Sequence, residues 1–467
     1  MIPAFSNDPQ TNRSLRHSLK DAVAFGTMTG VGETYFSAFA LFLKATTPQI
    51  GLLASVPPLL ASFVQLVSAW LGRLTGQRKA IILSGAGLQA VSWIPILTLP
   101  LMFPQHAVPL LIGCVVLHQC GAHLVTPQWS SLMGDIVPVR RRGRFFALRT
   151  RLITAVTFTS LLTGGFVLHR FTREGDTLTG FVILFGIAGC ARLVSVYQLS
   201  RMHDPGGQVA AMELPFGRSW FERLRHSNVV RFSVFFALTQ FAVSIASPFF
   251  TVYMLRDLEF SYLAFTVNTA TAVFAQFLTL AQWGRISDVF GNRRILAATG
   301  IVIPLMPILW VFSSNFWYLI LVQAVSGLAW AGFTLSASNF VYDLIAPNRR
   351  ATYLAIHNVI ASIGIFSGAM LGGYLGVVLP TEVEILGRQF SWLSPLTGVF
   401  VISTIVRAAV VIALVPKVRE VRPVRDISLG QLIFRVTRLN ALSGAFFEIV
   451  GTRPKAAESG RAAAKIE

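Results

Sequence analysis

Two stretches of the sequence decide the architecture of this chain: TPQWSSLMGDIVPVRRRGRFFALRTRL at Thr126–Leu152 and TLSASNFVYDLIAPNRRATYLAIHNVI at Thr334–Ile360. Each ends one apolar run with an acid, crosses a short basic loop with a proline, and begins another apolar run. A gapless superposition aligns acid with acid and basic pair with basic pair: Asp135 with Asp343, and Arg141 and Arg142 with Arg349 and Arg350. Because self-similarity at a long period indicates a repeated architecture, we predict two similar halves.

The composition indicates which solvent surrounds the chain. Of its 467 residues, 54% are hydrophobic and 13% are charged, whereas soluble domains carry about 25% charged residues. Apolar runs of about 20 residues predict transmembrane segments, and these must be helical because hydrocarbon offers the backbone no hydrogen-bond partners. The runs predict twelve spans, at residues 22–44, 49–71, 80–102, 107–132, 145–169, 179–200, 229–255, 261–284, 293–313, 315–342, 353–378 and 392–415.

These spans divide the chain into five parts. We predict an N-terminal tail at 1–20, a six-helix bundle at 21–200, a linker at 201–228, a second six-helix bundle at 229–416 and a tail at 417–467. The linker stretch Phe216–Asn228 mixes aromatic and basic residues, which favours a short helix on the membrane face. In the C-terminal tail, Leu432, Ile433 and Val436 share one helical face, as in an interfacial amphipathic helix; a weakly ordered tail is the alternative.

The net charge of +19 has its origin in the loops. Most of the 39 Lys and Arg residues fall in the tails or in the loops after spans two, four, six, eight and ten. Since basic residues favour the cytoplasmic side, we expect both termini in the cytoplasm, with the protein in a bacterial cytoplasmic (inner) membrane. The same distribution argues against nucleic acid as a partner.

Catalytic signatures are missing from the sequence. It contains no phosphate-binding GxxxxGK[ST] loop, no nucleophile–base arrangement and no cluster of metal ligands. The three cysteines, Cys114, Cys120 and Cys190, lie inside apolar runs without the spacing of a disulfide framework or a zinc site. We therefore expect neither an enzyme nor a protein that uses a cofactor or a metal.

A glycine- and charge-containing motif lies in the loop between spans eight and nine. Its residues are Gly284, Asp288, Gly291, Arg293 and Arg294. Gly284 is expected to let a neighbouring helix approach closely, and Gly291 to provide a turn with positive φ. Together with twelve spans in two repeated halves, this motif makes the chain resemble the major facilitator superfamily. The first half keeps the basic pair of the motif, but Arg73 stands where the acid is expected.

The resemblance implies an all-α membrane protein with twelve transmembrane helices in two pseudo-symmetric six-helix bundles. It also implies that the acid at the inner end of spans four and ten pairs with an arginine of the motif: Asp135 with Arg78, and Asp343 with Arg293. An alternative is that Asp135 contacts Arg141 or Arg144 in its own loop. We assign a role in gating to the motif residues and to the acids and arginines of the basic loops: Gly284, Asp288, Gly291, Arg293, Arg294, Arg78, Asp135, Arg141, Arg144, Asp343, Arg349 and Arg350.

Ionisable residues inside the membrane are costly and are candidates for function. Glu33 lies near the middle of span one, deeper than the carboxylates of the other spans. It is interpreted as a proton-coupling or cation-recognising group, and a structural glutamate is the alternative. In span four, Gln119 and His123 share a face, so a Glu33–His123 proton pair is one hypothesis and ordinary interhelical hydrogen bonds are the other. His118 lies off that face and is interpreted as structural.

The remaining polar residues of the spans are weaker candidates. Four of them are expected to contact the substrate or to join helices: Gln240, Asn268, Gln323 and Trp330. Arg192 and Arg407 are expected to snorkel towards the inner interface, with an anion site as the alternative. The glycines of spans five and eleven are expected to permit close helix contacts: Gly164, Gly165, Gly368, Gly372 and Gly373.

The resemblance implies a secondary transporter that works by alternating access. Glu33 favours proton-coupled symport of a small polar solute. The Gly-Pro that precedes the glycine pair of drug–proton antiporters is replaced by Ser160 and Leu161, and proton-driven efflux of an amphipathic or drug-like compound is the alternative. The expected partners are a small-molecule substrate, protons and membrane lipids, and we expect a monomer.

Overall fold

The twelve predicted spans are present in the computed structural model, which describes residues 5–6, 8–138, 141–206, 228–344, 350–385 and 388–417. Spans two to six are the helices Thr47–Thr75, Arg78–Met102, Ala107–Ile136, Arg142–Arg173 and Thr177–Ser200. Spans eight to twelve are the helices Tyr262–Phe290, Asn292–Phe312, Phe316–Leu344, Arg350–Val378 and Pro395–Leu414. The predicted linker helix and the C-terminal amphipathic helix lie outside the described residues.

Spans one and seven are interrupted. Span one consists of Pro9–Val31, a 3-10 turn at Glu33–Tyr35 and Phe36–Phe42. Span seven consists of Asn228–Ser244, Phe249–Val252 and a π-helical turn at Tyr253–Asp257. The interruption of span one is the one that matters for the site, because it changes the direction in which the side chains of its turn point.

Span one begins earlier than the sequence predicted. Its helix starts at Pro9, inside the expected N-terminal tail, because the Asp8 carboxylate accepts hydrogen bonds from the backbone N–H groups of Gln10 and Thr11. An acceptor at this position and a proline in the first turn both favour a helix start. Eleven of the described helices are long and apolar enough to cross a membrane, and span one, with its charged residues, is not among them.

The same pairs of helices pack together in both halves. Span one packs against spans five and six, span two against span four, and span three against spans four and six. The corresponding contacts join seven with eleven and twelve, eight with ten, and nine with ten and twelve. The halves meet where span two crosses span eleven and where span five crosses span eight. The predicted all-α fold of two pseudo-symmetric bundles is therefore confirmed.

One element was not predicted. A short antiparallel hairpin joins spans eleven and twelve, with strands β1 (Glu382–Ile385) and β2 (Arg388–Ser391). It lies at the end of the bundle opposite to the loops after spans two, four, eight and ten. We call the end with those four loops the basic end, because it carries the paired arginines.

The glycines at the crossings confirm the predicted close contacts. A Cβ atom on Gly165 of span five would overlap the side chain of Thr266 of span eight. A Cβ atom on Gly373 of span eleven would lie 3.2 Å from Pro48 of span two. Small residues thus let the two halves touch where they cross.

Two predictions were made for the glycines of the motif between spans eight and nine, and the structure confirms one of them. Gly291 has a φ of +82° and ends span eight, as expected for a turn that disfavours side chains. The prediction for Gly284 was wrong, because the nearest atom to a Cβ added there belongs to Leu335 at 3.9 Å, an ordinary van der Waals distance. Gly284 therefore does not serve close helix packing in this conformation.

Candidate functional site

Glu33 contacts a histidine of span four, but not the one that the sequence predicted. Its Oε1 atom lies 2.9 Å from Nε2 of His118. The hypothesis of a Glu33–His123 pair was wrong, because five residues along a helix turn the side chain by about 140°. His118 is fully buried and contacts Glu33 of span one, and its interpretation as a structural residue stays a prediction.

The imidazole of His118 is held on all sides. Its Nδ1 atom lies 2.9 Å from Oγ of Ser92, and Nε2 lies 3.2 Å from Nε2 of Gln89, both in span three. The rings of Phe36 and Trp93 pack edge-on against it, with centroids at 5.7 Å and 5.0 Å. This enclosure fixes the orientation of the ring and excludes bulk water from most of it.

A chain of polar contacts continues from Gln89 through the first half. Arg192 of span six donates to Oε1 of Gln89 at 2.5 Å and to Oγ of Ser195 at 2.7 Å. Ser195 donates to the Asp21 carboxylate of span one at 2.6 Å, and Arg149 of span five donates to the other Asp21 oxygen at 2.9 Å. We call the residues from Glu33 to Arg149 along these contacts the buried network.

The buried network balances its own charges. It holds two guanidinium groups, of Arg149 and Arg192, and two carboxyl groups, of Asp21 and Glu33. Buried charges require such compensation, since an unpaired ion in a low-dielectric interior is strongly unfavourable. Sequence reasoning missed most of this network because Asp21 lies just before the predicted span 22–44 and its partners lie far away along the chain.

The prediction that Arg192 and Arg407 snorkel to the interface was wrong. Their exposed fractions are 3% and 4%. Arg407 of span twelve donates to the backbone carbonyl groups of Ile303 at 3.3 Å and Val243 at 3.0 Å. The Ile303 carbonyl is open to this contact because Pro307, four residues on, has no N–H to donate to it.

The hydrogen bonds assign one proton to the Glu33–His118 pair. The Ser92 hydroxyl donates its hydrogen to the backbone carbonyl of Gln89 at 2.7 Å. Towards Nδ1 of His118 it can therefore only accept a hydrogen bond. Nδ1 therefore carries a hydrogen. Because Oε1 of Gln89 accepts from Arg192, the Gln89 amide N–H donates to Nε2 of His118, and the second proton lies on the Glu33 carboxyl group. When that proton leaves, a carboxylate faces a nitrogen lone pair at 2.9 Å, and the contact becomes repulsive.

The other predicted substrate residues are not joined to this pair by hydrogen bonds among the described residues. Gln119, His123, Gln240 and Gln323 are half-buried in their spans. Trp330, also half-buried, packs edge-on against Phe333 with centroids 5.6 Å apart. Asn268 of span eight is fully buried, and neither polar atom of its amide has a hydrogen-bond partner in the described part of the chain.

The basic end of the first half confirms the arginine pairing that the resemblance implied. Nη1 of Arg78 lies 2.5 Å from Asp135, and Nη2 lies 2.6 Å from Asp204, which follows span six. Within the adjacent loop, Arg142 donates to the Gly134 carbonyl instead. Because Arg78 is almost fully buried, its two carboxylate partners tie spans three, four and six together.

The corresponding sites of the second half are described only in part. Asp343 accepts a hydrogen bond from the Asn292 amide at 3.2 Å, and its pairing with Arg293 stays a prediction. Arg141 and Arg144 lie exposed at the start of span five, and Arg294 is half-buried. The side chains of Asp288 and Arg350, and all of Arg349, lie outside the description.

Replacing Asp204 by Asn tests this basic-end cluster through pH. Burial raises the pKa of the Asp204 carboxyl group, but the hydrogen bonds from Arg78 and the Gly206 N–H outweigh it, so this pKa lies below its usual 3.8. The carboxylate therefore stabilises the fold above pH 3.8, and that contribution is lost as the pH falls through the lower folded-state pKa.

We expect Asp204→Asn to lower the free energy of unfolding by about 1.5–3 kcal/mol at neutral pH. Denaturant unfolding of the purified protein measures this, and the difference from the wild type should shrink as the pH falls below 3.8. The matched variant Asp176→Asn, at an exposed helix cap, should leave the stability nearly unchanged because Asn caps as well as Asp. A constant difference at all pH values would contradict the ionic role of Asp204.

The fold and the Arg78–Asp135 pair agree with one known protein family. The family model of the Major Facilitator Superfamily matches residues 22–241 and 232–454. The chain therefore belongs to this superfamily of membrane transporters. It is an integral membrane protein, as its eleven apolar helices also indicate.

Curated relatives match shorter regions. The chain is 26% identical over 139 residues to the MFS-type transporter ppz2 of Metarhizium majus, which is 30% of this chain and 23% of that protein. It is 31% identical over 101 residues to the class B tetracycline resistance protein of Escherichia coli, 21% and 25% of the two chains. It is 26% identical over 169 residues to multidrug resistance protein MdtG of Proteus mirabilis, 35% and 40% of the two. The chain thus spans about a quarter to two fifths of the length of these relatives.

Solved structures match over nearly the whole chain. The nucleoside transporter NupG superposes with a TM-score of 0.62 at 15% identity, covering 87% of this chain and 98% of that one. A D-xylose-proton symporter superposes with a TM-score of 0.63 at 12% identity, covering 88% and 97%. At such low identity, the likeness shows the shared fold alone.

Proposed function

We propose that this protein is a secondary active transporter that couples the movement of a small solute to the movement of protons. The observation that carries the proposal is the Glu33–His118 contact, where one proton is shared at 2.9 Å inside the membrane. Alternating access then moves solute and proton as the two halves rock against each other. In this proposal both termini lie in the cytoplasm, and the membrane is the bacterial cytoplasmic membrane.

The surroundings of Glu33 support its reversible protonation. His118 is fully buried, whereas 21% of the Glu33 side chain is exposed, so the carboxyl group is the member of the pair that a proton can reach from outside. With Arg149, Arg192 and Asp21 charged, the network carries one net positive charge while Glu33 holds the proton, and it is neutral overall when the proton departs. The departure also places a carboxylate against the Nε2 lone pair of His118, and this repulsion favours a change of conformation, which is what coupling requires.

Symport of a small polar solute is the first form of the proposal. Asn268 supports symport. Both polar atoms of its buried amide lack a partner among the described residues, so the amide can donate a hydrogen bond to a hydroxylated or heterocyclic solute and accept one from it. Ser160 and Leu161 also stand where drug antiporters of the superfamily carry Gly-Pro. Proton-driven efflux is the second form, and the similarity to proteins named for tetracycline and multidrug resistance favours it.

Transport by purified protein in vesicles tests the proposal. A thermal-shift screen first identifies a solute, because a bound ligand stabilises the folded protein. Uptake is then measured under pH gradients of either sign, with a pH-sensitive dye to follow protons. Protons that move with the solute indicate symport, and protons that move against it indicate efflux. Solute transport with no proton movement would overturn the coupling.

A further inference from the structure

The turn that carries Glu33 also carries Tyr35, which lies at the junction of the two halves. The Tyr35 hydroxyl group donates to the backbone carbonyl of Leu161 in span five at 2.6 Å. The same oxygen lies 3.1 Å from Oγ1 of Thr266 in span eight, and both side chains are fully buried. Since the tyrosine has given its only hydrogen to Leu161, the Thr266 hydroxyl donates to it.

The surroundings of Tyr35 are tightly packed. A Cβ atom on Gly164 would lie 2.9 Å from the Tyr35 ring, and one on Gly165 would overlap Thr266. On the other side of the turn, the Trp93 ring occupies the space that a Cβ atom on Gly32 would need. The turn is therefore clamped between span three and the crossing of spans five and eight, and Glu33 cannot shift without moving Tyr35.

The Tyr35–Thr266 contact lies towards the end opposite to the basic end. Thr266 is about one helical turn from the start of span eight at Tyr262. Two further contacts join the halves at this end: Phe181 with Tyr262, with ring centroids 5.7 Å apart, and Arg256 with Oγ1 of Thr47 at 3.1 Å. This end of the junction is thus closed in the conformation described.

We propose that Tyr35 is a positioning residue that transmits the protonation state of the Glu33–His118 pair to the junction of the two halves. The proposal rests on the proposed function. While the pair holds its proton, the turn stays in place and the Tyr35–Thr266 contact keeps this end closed. When the proton leaves, the carboxylate and Nε2 repel each other, the turn shifts, and Tyr35 releases spans five and eight.

Other charged groups lie near the Glu33–His118 pair. Arg192 of span six faces it through Gln89 of span three, and Asp21 of span one and Arg149 of span five lie farther along the buried network. Each of these three groups has a partner of opposite charge within the network. The pH response is expected to depend on the proton held between Glu33 and His118.

Distances between spin labels on the two halves test the proposal. Labels are attached to Glu174→Cys and Glu382→Cys, which are exposed at this end in the first and second half, after the three native cysteines are replaced by Ser. For the otherwise unchanged protein in liposomes, raising the pH from 5 to 8 is expected to shift the population towards longer distances. Tyr35→Phe and Thr266→Val, which remove the hydroxyl groups separately, are expected to lose this shift.

The matched control is Tyr262→Phe. It makes the same substitution at the same junction, where the tyrosine contributes ring packing, and it should keep the pH-dependent shift. A wild-type shift in Tyr35→Phe would overturn the transmission. If Glu33→Gln abolishes the shift and Tyr35→Phe does not, only the role of Tyr35 fails. If Glu33→Gln keeps the full shift, or the unchanged protein has none, the proton pair of the proposed function fails too.

Discussion

Glu33→Gln is expected to abolish the proton-driven accumulation of solute while sparing exchange of labelled for unlabelled solute. The amide keeps the size of the side chain and can donate to Nε2 of His118, so the contact at 2.9 Å is retained. It cannot take up or release a proton. One proton moving through 100 mV supplies about 2.3 kcal/mol, which corresponds to an accumulation of about 50-fold.

Vesicles with an imposed membrane potential measure this effect. In the Glu33→Gln protein the internal and external solute concentrations should become equal, so the roughly 50-fold gradient is lost. Glu174→Gln provides the matched control, because it removes an exposed carboxylate whose ion-pair partner among the described residues is the exposed Arg170. Undiminished accumulation by Glu33→Gln would show that coupling lies elsewhere, and loss of exchange would indicate a structural role.

The largest effect on stability is expected from Asp21→Asn. Asp21 accepts from Arg149 and Ser195, and through Ser195 it faces Arg192. Its loss leaves the buried Arg192 guanidinium group and the partly buried Arg149 guanidinium group with less compensation. Removal of one partner from a buried ionic cluster costs about 3–5 kcal/mol. The penalty arises from the arginines that remain buried and not only from the lost bonds.

Unfolding of the detergent-purified protein measures the effect of Asp21→Asn. The variant Asp176→Asn again serves as the exposed control and should unfold like the wild type. The double variant Asp21→Asn with Arg149→Met removes one charge of each sign and should recover part of the stability. A wild-type stability in Asp21→Asn would mean that water or another group neutralises the arginines.

The sequence predicted the architecture well because apolar runs of membrane length can be recognised without knowledge of the fold. The duplicated stretch around Asp135 and Asp343 identified the two halves, and the resemblance to the superfamily implied the Arg78–Asp135 pair. The start of span one was harder, because Asp8 and Pro9 begin the helix within a polar segment that hydropathy assigns to a tail.

The candidate site could be predicted only in part. Glu33 was recognisable because a carboxylate deep in a span is costly wherever it lies. Its partner was not, because the turn at Glu33–Tyr35 changes the direction of the side chain, and helical periodicity then points to the wrong histidine. In the sequence, the sign of a helix break is Gly32 followed by Glu33, directly after the regular helix Pro9–Val31. Arg149 and Arg192 could not be assigned to Asp21 without knowing which helices pack together.

The polarity of span one has a consequence for the biogenesis of the protein. Charged residues at the centre of a helix cost about 2.5–3.5 kcal/mol each during insertion. Asp21 is synthesised 128 residues before its partner Arg149, and Arg192 follows later still. Span one therefore leaves the ribosome without the groups that neutralise it, and we expect it to enter the bilayer stably only once spans five and six have been made. In nascent chains that end after span four, a cysteine placed in span one should react with a membrane-impermeant thiol reagent on the cytoplasmic side, and in chains that end after span six it should not.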